Sequence, residues 1–158
     1  MTPRPSREGD EKSLKALWHE VFGDTDVYID TFFRELYRPG MASVVEEDGK
    51  IVAAAYAVPF GAVRYIFAVA TKPEYRGRGY GRAVVLAAAG GEPAYLCPAS
   101  ATLRCWYALT MRAKTVSYRS NAPLPAVCRK ITAEEFNTRR EAWLDGIPHA
   151  KYSDGILR

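Results

Sequence analysis

Seven consecutive residues, Arg76-Gly77-Arg78-Gly79-Tyr80-Gly81-Arg82, alternate glycine with arginine or tyrosine. A β-branched and aromatic stretch, Tyr65 to Thr71, precedes them, and a stretch with helical spacing, Arg82 to Ala89, follows. The pattern predicts a strand, a loop and a helix, and the chemistry that suits it is anion binding. Glycines at 77, 79 and 81 give the backbone conformations that a side chain forbids and leave N–H groups uncovered at the positive end of a helix. A pyrophosphate can be held there without a metal.

Spacing separates the loops of this kind. A P-loop closes on Gly-Lys-Ser/Thr, whereas Gly81 is followed by Arg82 and Ala83, which disfavours nucleoside triphosphate chemistry. A dinucleotide fingerprint needs G-x-G-x-x-G and an acidic residue at a strand end about 20 residues on, and neither is present. A plain Gly/Arg-rich surface turn, or an RGG-like nucleic-acid segment, is the bland alternative. RGG segments lie in low-complexity tracts, however, and this one has apolar periodicity on both sides.

Arg76-x-x-Gly79-x-Gly81, entered through Val69-Ala-Thr-Lys-Pro-Glu-Tyr75, resembles the R/Q-x-x-G-x-G/A acyl-CoA loop of the GNAT superfamily of N-acetyltransferases. Strand, proline, loop and helix agree together, which makes the match specific. The openings Leu17-Trp-x-x-Val-Phe-Gly-Asp24 and Val69-Ala-Thr-x-Pro-x-Tyr-Arg-Gly-x-Gly79 resemble the bacterial branch that includes the Eis-type aminoglycoside acetyltransferases. In that branch a longer C-terminal portion follows, so the resemblance implies a shortened member.

The elements that would position this loop can be read on either side of it. Leu14, Leu17, Trp18, Val21 and Phe22 recur at helical spacing after Asp10, an N-cap candidate, with Gly23 as the stop. A second helix begins near Asp24 or Asp26, carries Ile29, Phe32, Phe33, Leu36 and Tyr37 on one stripe, and ends at Pro39-Gly40. Val44 to Glu46 and Ile51 to Val58 form a hairpin through Asp48-Gly49, and Pro59 to Val63 reads as a connector. After the loop and helix, Ala94 to Cys97 reads as a short buried strand and Ser100 as the cap of a helix bearing Leu103, Trp106, Tyr107 and Leu109. Thr115 to Arg119 and Ala126 to Ile131 are a candidate last strand pair, and Thr132-Ala-Glu-Glu135 is a capping box.

This order is that of the acetyltransferase fold: α+β in α/β/α layers, a mixed central sheet flanked by helices. The expected domain spans residues 1–131, with 132–158 a C-terminal helical tail. The resemblance implies acetyl-CoA as acyl donor, no metal, and a small-molecule primary amine as acceptor. It places the acyl arm beside Val69, Ala70 and Thr71, paired like an added strand, and the phosphates on Gly77, Gly79, Tyr80, Gly81 and Arg82. Arg76, Arg78 and Arg82 are the candidate charge partners.

Tyr107 falls where the family's general-acid tyrosine stands, and a phenol is a reasonable donor to a departing thiolate. Its alternative is a core aromatic. Trp18, Phe22, Phe32, Phe33 and Tyr37 are candidates to wall the acceptor pocket, although an aromatic stripe at helical spacing more often faces a core. Glu46 and Glu47, at a hairpin turn, read as solvated acids, and Cys97 and Cys105 as buried apolar residues.

Composition bounds the rest. With 158 residues, 48% of them hydrophobic, the chain can bury one ordinary core. The net charge of +4 is mild and clusters near the loop, so it does not demand nucleic acid. Three cysteines without a C-x-x-C pair fit reduced thiols and a cytoplasmic protein. Neither a signal peptide nor a long uncharged span is present, so no membrane is expected. Phe136, Trp143, Ile147 and Leu157 make the tail too apolar to stand free, which favours a homodimer or a tail folded on the sheet. The second functional reading is an acyl-CoA-binding module without turnover, motivated by Ala108 to Arg112, which departs from the family after Tyr107.

Overall fold

The computed structural model describes residues 2–60, 63–108 and 131–146. The chain forms two compact units, Met1–Cys97 and Pro98–Arg158.

The first unit begins with strand β1 (Arg4–Pro5), followed by helices α1 (Glu11–Phe22) and α2 (Asp26–Glu35). The hairpin β2 (Ala42–Glu47) and β3 (Lys50–Phe60) leads to β4 (Val63–Thr71). A 3-10 turn (Pro73–Tyr75), helix α3 (Tyr80–Ala89) and β5 (Ala94–Tyr95) complete it. The sheet order is β1-β2-β3-β4-β5. Neighbours are antiparallel except β4 and β5, which run parallel. This is the mixed, helix-flanked α+β sheet that the sequence predicts.

Local chemistry accounts for the turns. Asp48 and Gly49 both have positive φ, 49° and 72°, the pair of conformations a tight two-residue hairpin requires. Gly23 stops α1 in the left-handed region and donates its N–H to the His19 carbonyl (2.9 Å). Thr25, which the sequence reading passed over, caps α2 by accepting from the Tyr28 N–H. That helix ends at Glu35, before the Pro39-Gly40 stop expected for it.

Pro59 to Val63 is not the expected connector. Pro59 and Phe60 continue β3 and pair with Arg64 and Val63, so both strands of this hairpin are longer than their apolar patterns indicate. At the other end, Ala94–Tyr95 is half-buried and only two residues long, shorter and less buried than the strand expected over Ala94 to Cys97.

The core gathers on the face where α1 and α2 pack. Leu14, Leu17, Trp18, Ile29, Phe32, Phe33 and Tyr37 meet Val44, Ala54, Tyr56 and Ala70 of the sheet. Alternate residues such as Val45, Ala53 and Ala55 are equally buried, as are Val84, Val85 and Ala88 of α3, a helix that lies across β2, β3 and β4. Burial from both sides explains why β3 reads Ile-Val-Ala-Ala-Ala-Tyr without alternation.

Asp10 occupies the N-cap position of α1 but makes no side-chain cap. Its carboxylate instead accepts from the Arg4 guanidinium (2.7 and 3.2 Å) and from the Arg7 N–H (2.9 Å). Arg4 also donates to Glu46 (2.6 Å), so one guanidinium ties β1, the start of α1 and the end of β2.

In the second unit, α4 (Ala101–Ala108) and α5 (Ala133–Trp143) are both capped as predicted. Ser100 Oγ accepts from the Leu103 N–H (3.2 Å) and Thr132 Oγ1 from the Glu135 N–H (3.0 Å). The strand pair expected around residues 115–131 lies outside the described residues, apart from the exposed Ile131. Cys97 and Cys105, read as buried, are both exposed; an intrinsic preference for burial says nothing of whether a neighbour covers the position. Among the described residues, no helix is long and apolar enough to cross a membrane.

Arg4 and the Arg7 N–H hold the Asp10 carboxyl below its ordinary value of 3.8. The stability this contributes is complete above that value and is lost as the pH falls through the lower folded one. Asp10, with its side chain only 11% exposed, is not an ordinary surface ion pair, and Asp10→Asn is expected to cost about 1–3 kcal/mol at neutral pH. In thermal melts from about pH 7 to about pH 2 the gap between variant and wild type should close as wild type loses the charge.

Candidate active site

Among the described residues β4 is paired along the whole of one edge and along a short part of the other. β3 flanks it throughout, from Phe60↔Val63 to Ala53↔Thr71, whereas β5 meets it at Arg64↔Ala94 and Tyr65↔Tyr95 alone. Among the described residues the outer edge of β4 from Ile66 to Thr71 therefore has no strand beside it. Phe67, Ala68, Val69 and Thr71 are half-buried there.

The same stretch is bulged. Ala54 pairs with Ala70 and Tyr56 with Phe67, so Ala68 and Val69 together oppose Ala55. Ala68 takes φ 46°, a left-handed conformation that a non-glycine residue adopts at a cost of roughly 1 kcal/mol or more. A bulge leaves a peptide group out of the ladder and turns it from the strand's regular direction. Of the residues expected to hold the acyl arm, Val69 lies in the bulge, and Ala70 and Thr71 follow it on the free edge.

From Thr71 the chain passes directly into the glycine loop. The Tyr75 N–H donates to the Lys72 carbonyl and the Arg76 N–H to Pro73, closing the 3-10 turn. Arg76 Nε reaches back to the Thr71 carbonyl (3.2 Å), pinning the loop to the strand's end. Gly77 and Gly79 have φ 77° and 83°, and a Cβ at either would meet nothing within 4 Å. What excludes a side chain is therefore the backbone conformation, and the space above it is open. Gly79 is the N-cap of α3, with no side-chain cap, and its carbonyl accepts from the Ala83 N–H. Tyr80, Gly81 and Arg82 thus present the first amides of the helix, which have no carbonyl partner in a preceding turn. Gly81 is helical, so the left-handed freedom expected of all three glycines is used at only two. These amides and the open space above Gly77 and Gly79 fit a pyrophosphate.

The arginines differ from one another. Arg78 is held by the protein: Nη1 lies 3.5 Å from Glu47 Oε2, Nη2 donates to the Glu74 carbonyl (3.3 Å), and the guanidinium sits 5.0 Å over the Tyr75 ring. Glu47 also accepts from the Tyr80 hydroxyl, which raises the Tyr80 phenol above its ordinary range. Arg82 is exposed and has no ion pair among the described residues. Glu47, read from sequence as a solvated hairpin acid, is only 17% exposed in its side chain and braces the loop. Nothing in the sequence signals this, because β2 and α3 meet across more than 30 residues of chain.

The aromatic candidates divide as well. Trp18, Phe32, Phe33 and Tyr37 are buried, with Trp18 at 2%, and pack around Tyr56. Phe22 is 43% exposed. Tyr107 lies on α4 in the second unit, half-buried, its ring edge-on to Trp106 at 4.8 Å. Burial raises its phenol, which keeps it protonated well past neutral pH.

The model of the Acetyltransferase (GNAT) family matches residues 11–90, a span that runs from α1 through the glycine loop to the end of α3. The chain belongs to the GNAT acetyltransferase family. GNAT enzymes are acyltransferases that take acetyl-CoA as donor, and the matched span includes the loop and strand edge described above. A putative acetyltransferase from Agrobacterium tumefaciens is 25% identical with TM-score 0.56, over 77% of this chain and 100% of that one. The aminoglycoside antibiotic 6'-N-acetyltransferase AAC(6')-IG from Acinetobacter haemolyticus is 16% identical, with TM-score 0.58 over 78% and 99% of the two chains. AAC(6')-Iy, solved with the bisubstrate analog CoA-S-monomethyl-acetylneamine, is 13% identical, with TM-score 0.57 over 76% and 97%. At these last two identities the likeness is one of fold. No match was found among curated proteins.

Gly79→Asp puts a carboxylate and a strained φ at the helix N-cap, and is expected to weaken acetyl-CoA binding at least about 100-fold. Arg78→Ala removes a charge already shared with Glu47 and is expected to cost less than about fivefold. Titration calorimetry with acetyl-CoA, beside a thermal melt of each variant, measures both.

Proposed function

We propose that the protein is an acetyl-CoA-dependent N-acetyltransferase acting on the primary amine of a small acceptor by direct attack on the thioester. The observation that carries this reading is the continuity of one strand: a bulged edge over Phe67–Thr71, with no strand beside it among the described residues, that runs without interruption into a loop and the first amides of a helix. When bound, acetyl-CoA supplies an activated acyl carbon. Val69, Ala70 and Thr71 would hold its arm by backbone pairing, and a backbone N–H taken out of the ladder by the bulge would polarise the acyl oxygen as charge develops there. Gly77, Gly79, Tyr80, Gly81 and Arg82 cradle the phosphates through their amides, while Arg82 adds charge. Arg76 and Arg78 shape the loop.

In the transfer, a C–N bond forms as the C–S bond breaks. The amine's proton passes to water, and the departing sulfur takes a proton from Tyr107, whose raised phenol stays protonated at neutral pH. A neighbour of the same fold was solved with the bisubstrate analog CoA-S-monomethyl-acetylneamine, which is in keeping with donor and amine meeting on this fold. The two sequence openings quoted above support the Eis-like branch. No metal enters the reading. The partners it requires are the donor and the amine, without nucleic acid or membrane.

Thiol release from acetyl-CoA over a panel of primary amines tests the proposal. The expected result is turnover with at least one amine, whereas tight acetyl-CoA binding without thiol release would favour the binding module. Tyr107→Phe keeps the ring and removes the proton, so single-turnover rates should fall by about 10- to 10,000-fold with acetyl-CoA affinity nearly unchanged. Wild-type chemistry in that variant, with the penalty appearing only in the melt, would make Tyr107 a packing residue.

A further inference from the structure

One carboxylate holds both chain neighbours of Gly79. Glu47, the last residue of β2, stands opposite Lys50 in the hairpin ladder. Its Oε1 accepts from the Tyr80 hydroxyl, and its Oε2 lies 3.5 Å from Arg78 Nη1. Gly79, between those two residues, has φ 83° and open space beside it, and glycine is the residue whose backbone is least restrained by its own side chain. The preceding acid serves a different contact. Glu46 accepts from Arg4 (2.6 Å) and lies 3.7 Å from Arg7, so the two consecutive acids work on opposite sides of the sheet, as consecutive strand residues do.

An acid is an unexpected neighbour for an anion site. On charge alone the Glu47 carboxylate repels a phosphate bound at the start of α3, and removing it would tighten donor binding. Geometry argues for the opposite sign. The amides of Gly79 to Arg82 receive a pyrophosphate only when they converge, and ordering a glycine turn and its two flanking side chains at the moment of binding costs affinity. The β2–β3 hairpin supplies a fixed anchor for that turn, and Arg78 offsets the charge of the anchoring group.

Resting on the acetyl-CoA site of the reading above, we propose that Glu47 is a positioning residue for the donor: by holding Tyr80 and Arg78 it fixes Gly79 between them and sets the phosphate-binding amides before acetyl-CoA binds. It acts through the backbone at the start of α3. The hydroxyl of Tyr80, which is half-buried, is the firmer of the two holds; Arg78 is 53% exposed in its side chain and stands at 3.5 Å, in keeping with the small loss expected of Arg78→Ala.

Titration calorimetry with acetyl-CoA, run well below the melting temperature of each variant, tests this. Glu47→Ala should weaken acetyl-CoA about tenfold, against the sign that loss of a negative charge alone gives, and Tyr80→Phe, which keeps its backbone amide, should do the same. The double variant should be no weaker than Glu47→Ala, because both changes remove one contact. Glu47→Gln keeps an acceptor for Tyr80 and should stay within about threefold of wild type. S-acetylpantetheine, which has the arm without the phosphates, should bind wild type and Glu47→Ala alike in an NMR titration. Glu46→Ala should lower the melting temperature and leave acetyl-CoA affinity unchanged. Equal or tighter acetyl-CoA binding by Glu47→Ala, additive losses in the double variant, no rescue by Glu47→Gln, or an equal loss with S-acetylpantetheine overturns the inference and leaves the acetyltransferase reading standing. Wild-type protein that binds no acetyl-CoA overturns both.

Discussion

The parting of β4 from β5 is the constraint on which the rest of this unit depends. A parallel pair in the interior of a sheet is ordinarily bonded along its length, and here two residue pairs suffice before the strands separate. The remaining half of β4 is kept in place from one side, by β3, and from its two faces, by the aromatic core and by α3. Among the described residues this edge has no strand beside it, and an edge so held is preorganised for strand addition.

The bulge adds direction to that edge. Ala68 accepts an unfavourable backbone conformation because Tyr56, Phe67 and Ala70 on either side of it are fixed by packing, and their burial outweighs the local strain. One residue of slip would otherwise exchange the two faces of the strand. The bulge takes up that slip in the middle of β4, so apolar residues before and after it, Phe67 and Ala70, reach the same core although they are three positions apart.

The loop and the helices it joins were legible in the sequence because their signals are local: glycine spacing, caps at Ser100 and Thr132, the Asp48-Gly49 turn, and 3.6-residue periodicity in α1 and α2. The strand limits were not, since Pro59 and Phe60 look like a connector until Arg64 and Val63 are seen to pair with them. Two parts of the candidate site were hidden for the same reason. Alanine carries no signature of a bulge, and an acid beside a hairpin turn is normally solvated. Glu47 becomes a brace only because the end of β2 meets the start of α3. The aromatic stripe was legible as a stripe, but which of its rings face solvent was decided by Tyr56 from the opposite side of the core.

At the far border of the sheet, β1 consists of Arg4 and Pro5 alone. Proline offers no donor, and the arginine turns its side chain into the pair with Asp10 and Glu46. The outer strand is thus too short and too charged to template another chain. Among the described residues, the sheet border at β1 is thus closed to edge-to-edge growth, while the edge of β4 over Ile66 to Thr71 has no strand beside it.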